Sequence, residues 1–452
     1  MQEIVGFAQS ELTVEGRYDK IFLYFKVKKG HAMLVSFRME NFRSFAEQAM
    51  ISMRPVKAYG EHLENQVEVD GCKLLKVAAI YGPNASGKSN VVKGFATMRR
   101  LVLGSLQLSS VDALKVEPFE LDVEKMDAPT LFEISILLRG RIHRYGFAAT
   151  HERIFAEWLG MSRVGSRVVE RMLFTREGGS LDSFSRRSLP ELVKMDMSTL
   201  LPNALLLPRL DQLNNAVAKA VMRWFKNMAV LSGSESSVYG RYSSEHIGDD
   251  LFHDRMMQFI RFADSSISDV STRIQEMRWE DLPLEIRNRR VRPKGFVSAE
   301  AVEVFVARHS RQGDVVTFEI DDKESEGTAK MFELSGPLTD ILNTGSVLVI
   351  DEMEAKLHPL LTRRIVRVFN SAATNPHNAQ LVFVSHDATL LHSARLRRDQ
   401  VWFCEKDRFG ASSLYCLAEI RSTAKARRED NLEKKYLEGR FGAIPRFPKE
   451  GV

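Results

Sequence analysis

The chain has 452 residues, of which 44% are hydrophobic and 27% charged, and a net charge of +5. This supplies enough apolar material for a sizeable core and excludes a disordered, collagen-like or disulfide-stapled chain. The positive excess is weak for this length, so it permits an acidic partner such as nucleic acid without demanding one. Length suggests two or three domains, or one domain with a large insertion. Cys72, Cys404 and Cys416 form no CxxC pair. Neither a zinc ribbon nor a redox motif is therefore expected, and so few thiols fit a reducing cytoplasm. The longest apolar runs fall well short of the ~18 residues of a membrane span.

Residues 1–32 precede the first clean strand pattern, which begins at Met33. They are expected to be an N-terminal extension, from a start codon placed too early. Residues 34–53 alternate as two strands joined at Asn41–Ser44. LLKVAAIYG (74–82) is a buried strand entering a glycine-rich turn, and 89–104 has apolar residues at helical spacing. Residues 119–150 contain a hairpin turning at Arg139-Gly140-Arg141, and 152–162 and 167–177 continue an antiparallel pattern. From 186 to 300 the spacing becomes mostly helical, without the sustained heptads of a long coiled coil. GSVLVIDE (345–352) and AQLVFVSHD (379–387) are nearly continuous apolar runs, as central parallel strands require. The expected division is an extension (1–32), two halves of one α/β head (33–185 and 301–420), a compact helical insertion (186–300) and a basic tail (421–452).

GPNASGKS, Gly82 to Ser89, fits G-x-x-x-x-G-K-[ST], the Walker A phosphate loop. Backbone N–H groups of Gly82, Pro83–Gly87 and the following helix start, through Asn90, can face phosphate oxygens, except at Pro83, which has none. Pro83, Asn84, Ala85 and Ser86 form the span of that loop. Lys88 is expected to reach the β- and γ-phosphates of ATP, and Ser89 to ligate Mg²⁺. Asp351 ends the VLVID strand, where α/β ligand sites lie, and is the candidate Mg²⁺-positioning acid of a Walker B motif. Glu352 follows as general base for an attacking water. Strand alternation predicts that it points to the face opposite Asp351. His386 ends the VFVSH run and can donate to the γ-phosphate. His358, in KLHP, reads as a turn or dimer-contact residue.

The order of Walker A, a long middle, S-x-G-T, VLVIDE, LHP and SHD resembles the ABC-type ATPase head, a group that includes SMC, RecF and OLD-like proteins and ABC transporters. The fold this implies is an α/β P-loop NTPase with an antiparallel β lobe and an inserted helical subdomain. ESEGTAKMFEL (324–334) matches the signature motif at Ser325 and Gly327. It departs at Glu326, usually glycine, and at Thr328, usually glutamine. The resemblance implies that Ser325, Gly327 and Thr328 contact ATP held by a second copy, so that ATP joins two heads head to tail. No glutamine for a Q-loop is evident: Gln107 is the first after the loop, but no strand leads into it.

A closer resemblance is to bacterial AAA-type ATPases of abortive-infection and phage-defence modules, through MENFRSF (39–45), GPNASGKSN, EWL (157–159), ESEGT and YLEGRFGAIP (436–445). It implies a cytoplasmic ATPase that controls a companion effector, a nuclease or toxin. A DNA-binding repair ATPase and an ATP-dependent scaffold with little turnover are the alternatives. DNA contact is expected, if anywhere, at the acid-free basic run Arg287, Arg289, Arg290, Arg292 and Lys294.

Overall fold

The apolar runs sort into two large sheets, described by a computed structural model over residues 32–165, 169–234, 237–278, 280, 299–420 and 431–445. β1 (Ala32–Glu40) and β2 (Ala49–Ser52) pair antiparallel, with a Phe42–Phe45 bridge in their turn. β3 (Gln66–Val69) and β4 (Cys72–Leu75) form a small hairpin before β5 (Val77–Tyr81). β6 (Thr130–Leu138), β7 (Arg141–Ala149), β8 (Ile154–Arg163), β9 (Arg171–Glu177) and β10 (Ser180–Phe184) then meander. The resulting antiparallel lobe runs β10-β9-β8-β7-β6-β1-β2. Its β6–β7 turn has Arg139 and Gly140 at φ 49° and 71°, the positive values a two-residue hairpin loop needs.

The second sheet runs β11-β15-β16-β5-β17-β18. It comprises β5 with β11 (Ala229–Ser232), β15 (Val347–Asp351), β16 (Gln380–Val384), β17 (Val401–Lys406) and β18 (Ser412–Cys416). All are parallel except the β17–β18 pair. β5 and β16 are buried along their whole length, which explains why they read as unbroken apolar runs. Gln380 joins the two sheets. Its amide nitrogen donates to the carbonyls of Leu34 (3.0 Å) and Leu75 (2.9 Å), and its oxygen accepts from Leu34 N (2.6 Å).

α1 (Lys88–Gly104) lies between the sheets, flanked by α2 (Leu206–Gln212) and α3 (Ala216–Asn227). Glu157, fully buried, fixes α2. It accepts from the first-turn amides of Leu206 (2.7 Å) and Leu207 (2.9 Å) and pairs with Arg176 at 3.2 Å. The EWL segment thus carries a buried helix cap. α4 (Ser237–His246) and α5 (Asp250–Ala263) pack on the long α6 (Glu326–Thr344). Pro337 lies inside α6 and has no N–H for the Glu333 carbonyl four residues back. The Ser243 hydroxyl donates to that carbonyl instead (2.8 Å), which locks α4 to α6.

Between residues 206 and 263 the chain forms α2 to α5, but the block is not set apart from the head. Its strand β11 joins the central sheet beside β15. Its last described strand, β12 (Ile267–Met277), pairs with β13 (Ala299–His309), which pairs with β14 (Val315–Glu319). The four residues of β11 are too few to interrupt a helical periodicity, while the eleven of β12 carry apolar residues that also fit helical spacing. Part of the basic tail packs on the head: Tyr436, Phe441 and Ala443 are buried, with Tyr436 stacked on Phe403 at 5.2 Å. Residues 1–31 and the basic run at 287–294 lie outside the described residues. All three cysteines are free and buried. Among the described residues, no helix is long and apolar enough to cross a membrane.

Candidate nucleotide site

The loop after β5 is shaped by two glycines. A Cβ at Gly82 (φ 153°) would collide with the Cys404 carbonyl, and one at Gly87 (φ 106°) with the hydroxyls of Ser412 and Ser44. Between them Pro83 is half-buried, Asn84 and Ala85 are exposed, and Ser86 is buried with Oγ unpartnered. Gly87 begins α1 without a side-chain cap, and of the first turn Asn90 N donates to the Gly87 carbonyl at 2.9 Å, so the N–H groups before it stay available to an anion. Lys88 is buried at the hub and donates to the carbonyls of Gly82 and Pro83, both at 2.8 Å. Burial lowers its pKa, while Cys404, Asp351, Glu354 and Glu352 oppose that shift. Three acids are therefore close to the ammonium.

β16 lies between β5 and β15, so His386 leaves the strand next to the loop and Asp351 the strand beyond it. Asp351 Oδ1 is buried without a hydrogen-bond partner among the described residues. Burial raises the Asp351 pKa, and the neighbouring Ser89 hydroxyl partly opposes this. An orphaned carboxylate oxygen beside a helix-start hydroxyl and a phosphate loop fits a hard, oxygen-seeking cation such as Mg²⁺. Asp351 and Ser89 would hold it, and it would supply charge neutralisation on the phosphates.

The pleat does not set the direction of Glu352, contrary to the alternation argument. β15 ends at Asp351, and Glu352 takes a left-handed backbone at φ 48°. The turn is jammed against Gly233, where a Cβ would strike the Glu352 carbonyl, and Gly233 N donates to Asp351 O at 2.6 Å. His386 is exposed, and its backbone N–H donates to Glu354 Oε1 at 2.5 Å. His358 N-caps α7 (Pro359–Asn370) by accepting from Leu360 N at 3.2 Å.

Ser325 N-caps α6, accepting from Thr328 N at 3.2 Å and lying 2.9 Å from its hydroxyl. Gly327 backs onto the Lys356 carbonyl, and Lys356 pairs with Glu326 at 3.3 Å. Among the described residues, the hydrogen bonds and ion pairs of Ser325–Thr328 lead to one another and to Lys356, not to the Gly82–Asn90 loop.

Ser44 and Ser412 brace the phosphate loop and escape the sequence reading. Asn90 Nδ2 donates to Ser44 Oγ (2.8 Å), and Ser412 Oγ contacts both Ser44 Oγ (2.8 Å) and the Ser86 carbonyl (2.6 Å). Asn41–Ser44 is thereby docked on α1, which gives the FRSF turn its place. The strand beside Asp351 ends at Ser232, while Gln107 is exposed in a 3-10 turn after α1.

The family described as "AAA domain, putative AbiEii toxin, Type IV TA system" matches residues 77–174 and 250–392, more than half of the chain. The chain belongs to this family. By that description it is a family of AAA domains. No curated protein matches it. Solved structures similar to it include the SMC head domain from Thermotoga maritima, at 12% identity and TM-score 0.38 over 85% of this chain and 98% of that one. Another is the recombination mediator protein RecF, at 13% identity and TM-score 0.31 over 85% and 98%. The family membership rests on the sequence match, and the architecture on the strand order.

Proposed function

We propose that this ATPase-family chain binds Mg²⁺-ATP at Gly82–Asn90 and hydrolyses it. Asp351 Oδ1, buried beside Ser89 and unpartnered among the described residues, carries this reading, because a desolvated carboxylate oxygen without a partner calls for a cation or donor. Lys88 and the α1 N-terminus take the phosphates. Glu352 accepts a proton from the attacking water, giving ADP and phosphate, and His386 donates to the γ-phosphate. Ser325, Gly327 and Thr328 lie at the N-terminus of α6 and share no hydrogen bond with the Gly82–Asn90 loop among the described residues, which supports a head-to-tail dimer joined by ATP. The family description names a toxin system, which supports a role as the sensor of an abortive-infection-like antiphage module with a companion nuclease or toxin.

Glu352→Gln tests the chemistry and the dimer together. Turnover is expected to fall by ~10²–10⁴-fold, the usual contribution of a positioned base. A dimer should accumulate in Mg²⁺-ATP, read by light scattering after size exclusion. Undiminished turnover would remove Glu352 from the mechanism, and a monomer at saturating ATP would remove the dimer. The defence role is read by phage plating on cells carrying the gene with its neighbours, against the Lys88→Ala form.

A further inference from the structure

Glu354 has no part in the chemistry above, yet it touches both loops that do. Its Oε1 accepts the His386 backbone N–H at 2.5 Å, a charge-assisted bond stronger than a neutral one. Its Oε2 is buried and unpartnered among the described residues, as are Asp387 Oδ2 and the hydroxyl of Tyr81. Tyr81 is 1% exposed, and after burial the largest influences raising its pKa are Asp387 and Glu354. Tyr81 ends β5, Glu354 lies in the turn after β15 and Asp387 in the loop after β16, so the three orphaned oxygens come from the ends of three neighbouring strands. The turn carrying Glu354 is bracketed by left-handed residues, Glu352 at φ 48° and Lys356 at φ 63°. Backbone bonds from Ala355 N to Glu352 O (3.0 Å) and Leu357 N to Glu354 O (2.8 Å) close it.

We infer that Glu354 is a positioning residue that clamps the loop of the general base, Glu352, to the loop of the γ-phosphate donor, His386. The inference rests on the proposed roles of those two residues. Because Glu354 accepts a backbone N–H, the clamp fixes where the histidine starts and leaves its ring free for phosphate. A glutamine at 354 would keep an oxygen to accept from His386 N. The clamp needs an acceptor at this position and not a charge.

Glu354→Ala and Glu354→Gln separate these cases. In Glu354→Ala, kcat is expected to fall ~10²-fold, the cost of a small misplacement of a reacting group, with KM and nucleotide affinity unchanged. Glu354→Gln should recover most of that loss. In protein labelled with ¹⁵N-histidine, the His386 amide is identified by its loss in His386→Ala. Its proton should lie downfield in the wild type and in Glu354→Gln, and move upfield in Glu354→Ala. Equal slowing of both variants, a change in KM alone, or an unmoved His386 amide would overturn the clamp. A wild-type chain that binds ATP without turning it over would sink the hydrolase reading, and the amide shift alone would then decide the clamp.

Discussion

Two helix N-termini of the head are built to opposite specifications. α1 opens on a left-handed glycine with no side-chain cap and no acid in its first turn. α6 opens on Ser325, whose side chain already caps Thr328 N, with Glu326 in its first turn. An uncapped, acid-free N-terminus keeps its orphan N–H groups and its positive end for an anion. A capped, acid-bearing one is stable without a ligand. The first is therefore a phosphate cradle complete within one chain. The second is a finished helix end presented to something else. Glu326 adds a cost at that end, since it sets a negative charge where an incoming phosphate would lie, and Lys356 offsets part of it at 3.3 Å.

The comparison breaks most sharply at Lys88. Replacing it with alanine removes a buried charged donor from the cradle, and such bonds contribute ~1.5–3 kcal/mol. ATP affinity should weaken by roughly 10- to 100-fold, measured by titration calorimetry, and the ATP-dependent dimer should vanish with it. Weakened dimerisation at unchanged ATP affinity would reverse the assignments of the two helix ends. Ser325→Ala is the matching change at the other end. Loss of an N-cap costs about 1 kcal/mol, so denaturant unfolding should show a stability loss of that size. The monomer should bind ATP as before and dimerise less. If its ATP affinity fell as far as that of Lys88→Ala, α6 would belong to the same chain's nucleotide site.

Much of this arrangement was legible in the sequence, because the chemistry follows unbroken apolar runs. The β5 run delivers Gly82, the β15 run delivers Asp351, and the β16 run delivers His386. Contacts made only in three dimensions were not legible. Ser44 and Ser412 reach the phosphate loop from distant segments, and Cys404 meets Gly82 through its carbonyl, so their types and spacing carry no signal. β11 is a four-residue strand between helices, too short to register as a change of period. Glu352 defeated the alternation rule because the strand ends one residue before it. Tyr436 and Phe441 sit among lysines, arginines and acids, whose charge pattern hid two buried rings.

The smallest effect concerns the link between the two helix ends. Lys330, one turn into α6, is 1% exposed and donates to Gly233 O at 2.5 Å. Gly233 in turn holds Asp351 O, so this lysine joins α6 to the strand that ends at Asp351. Burial lowers its pKa from 10.5 to about 8. The unfolded chain keeps that proton to higher pH than the folded one, so between the two values unfolding takes up a proton. The cost of burying the charged amine is thus fully present below pH 8 and is relieved as pH rises toward 10.5. Lys330→Met abolishes this dependence. The stability of the wild type relative to Lys330→Met should therefore rise with pH across that window, read from denaturant midpoints. A flat difference would mean that the ammonium is not desolvated in the fold. The tie between α6 and Gly233 would then be an exposed contact, too weak to carry the state of one helix end to the other.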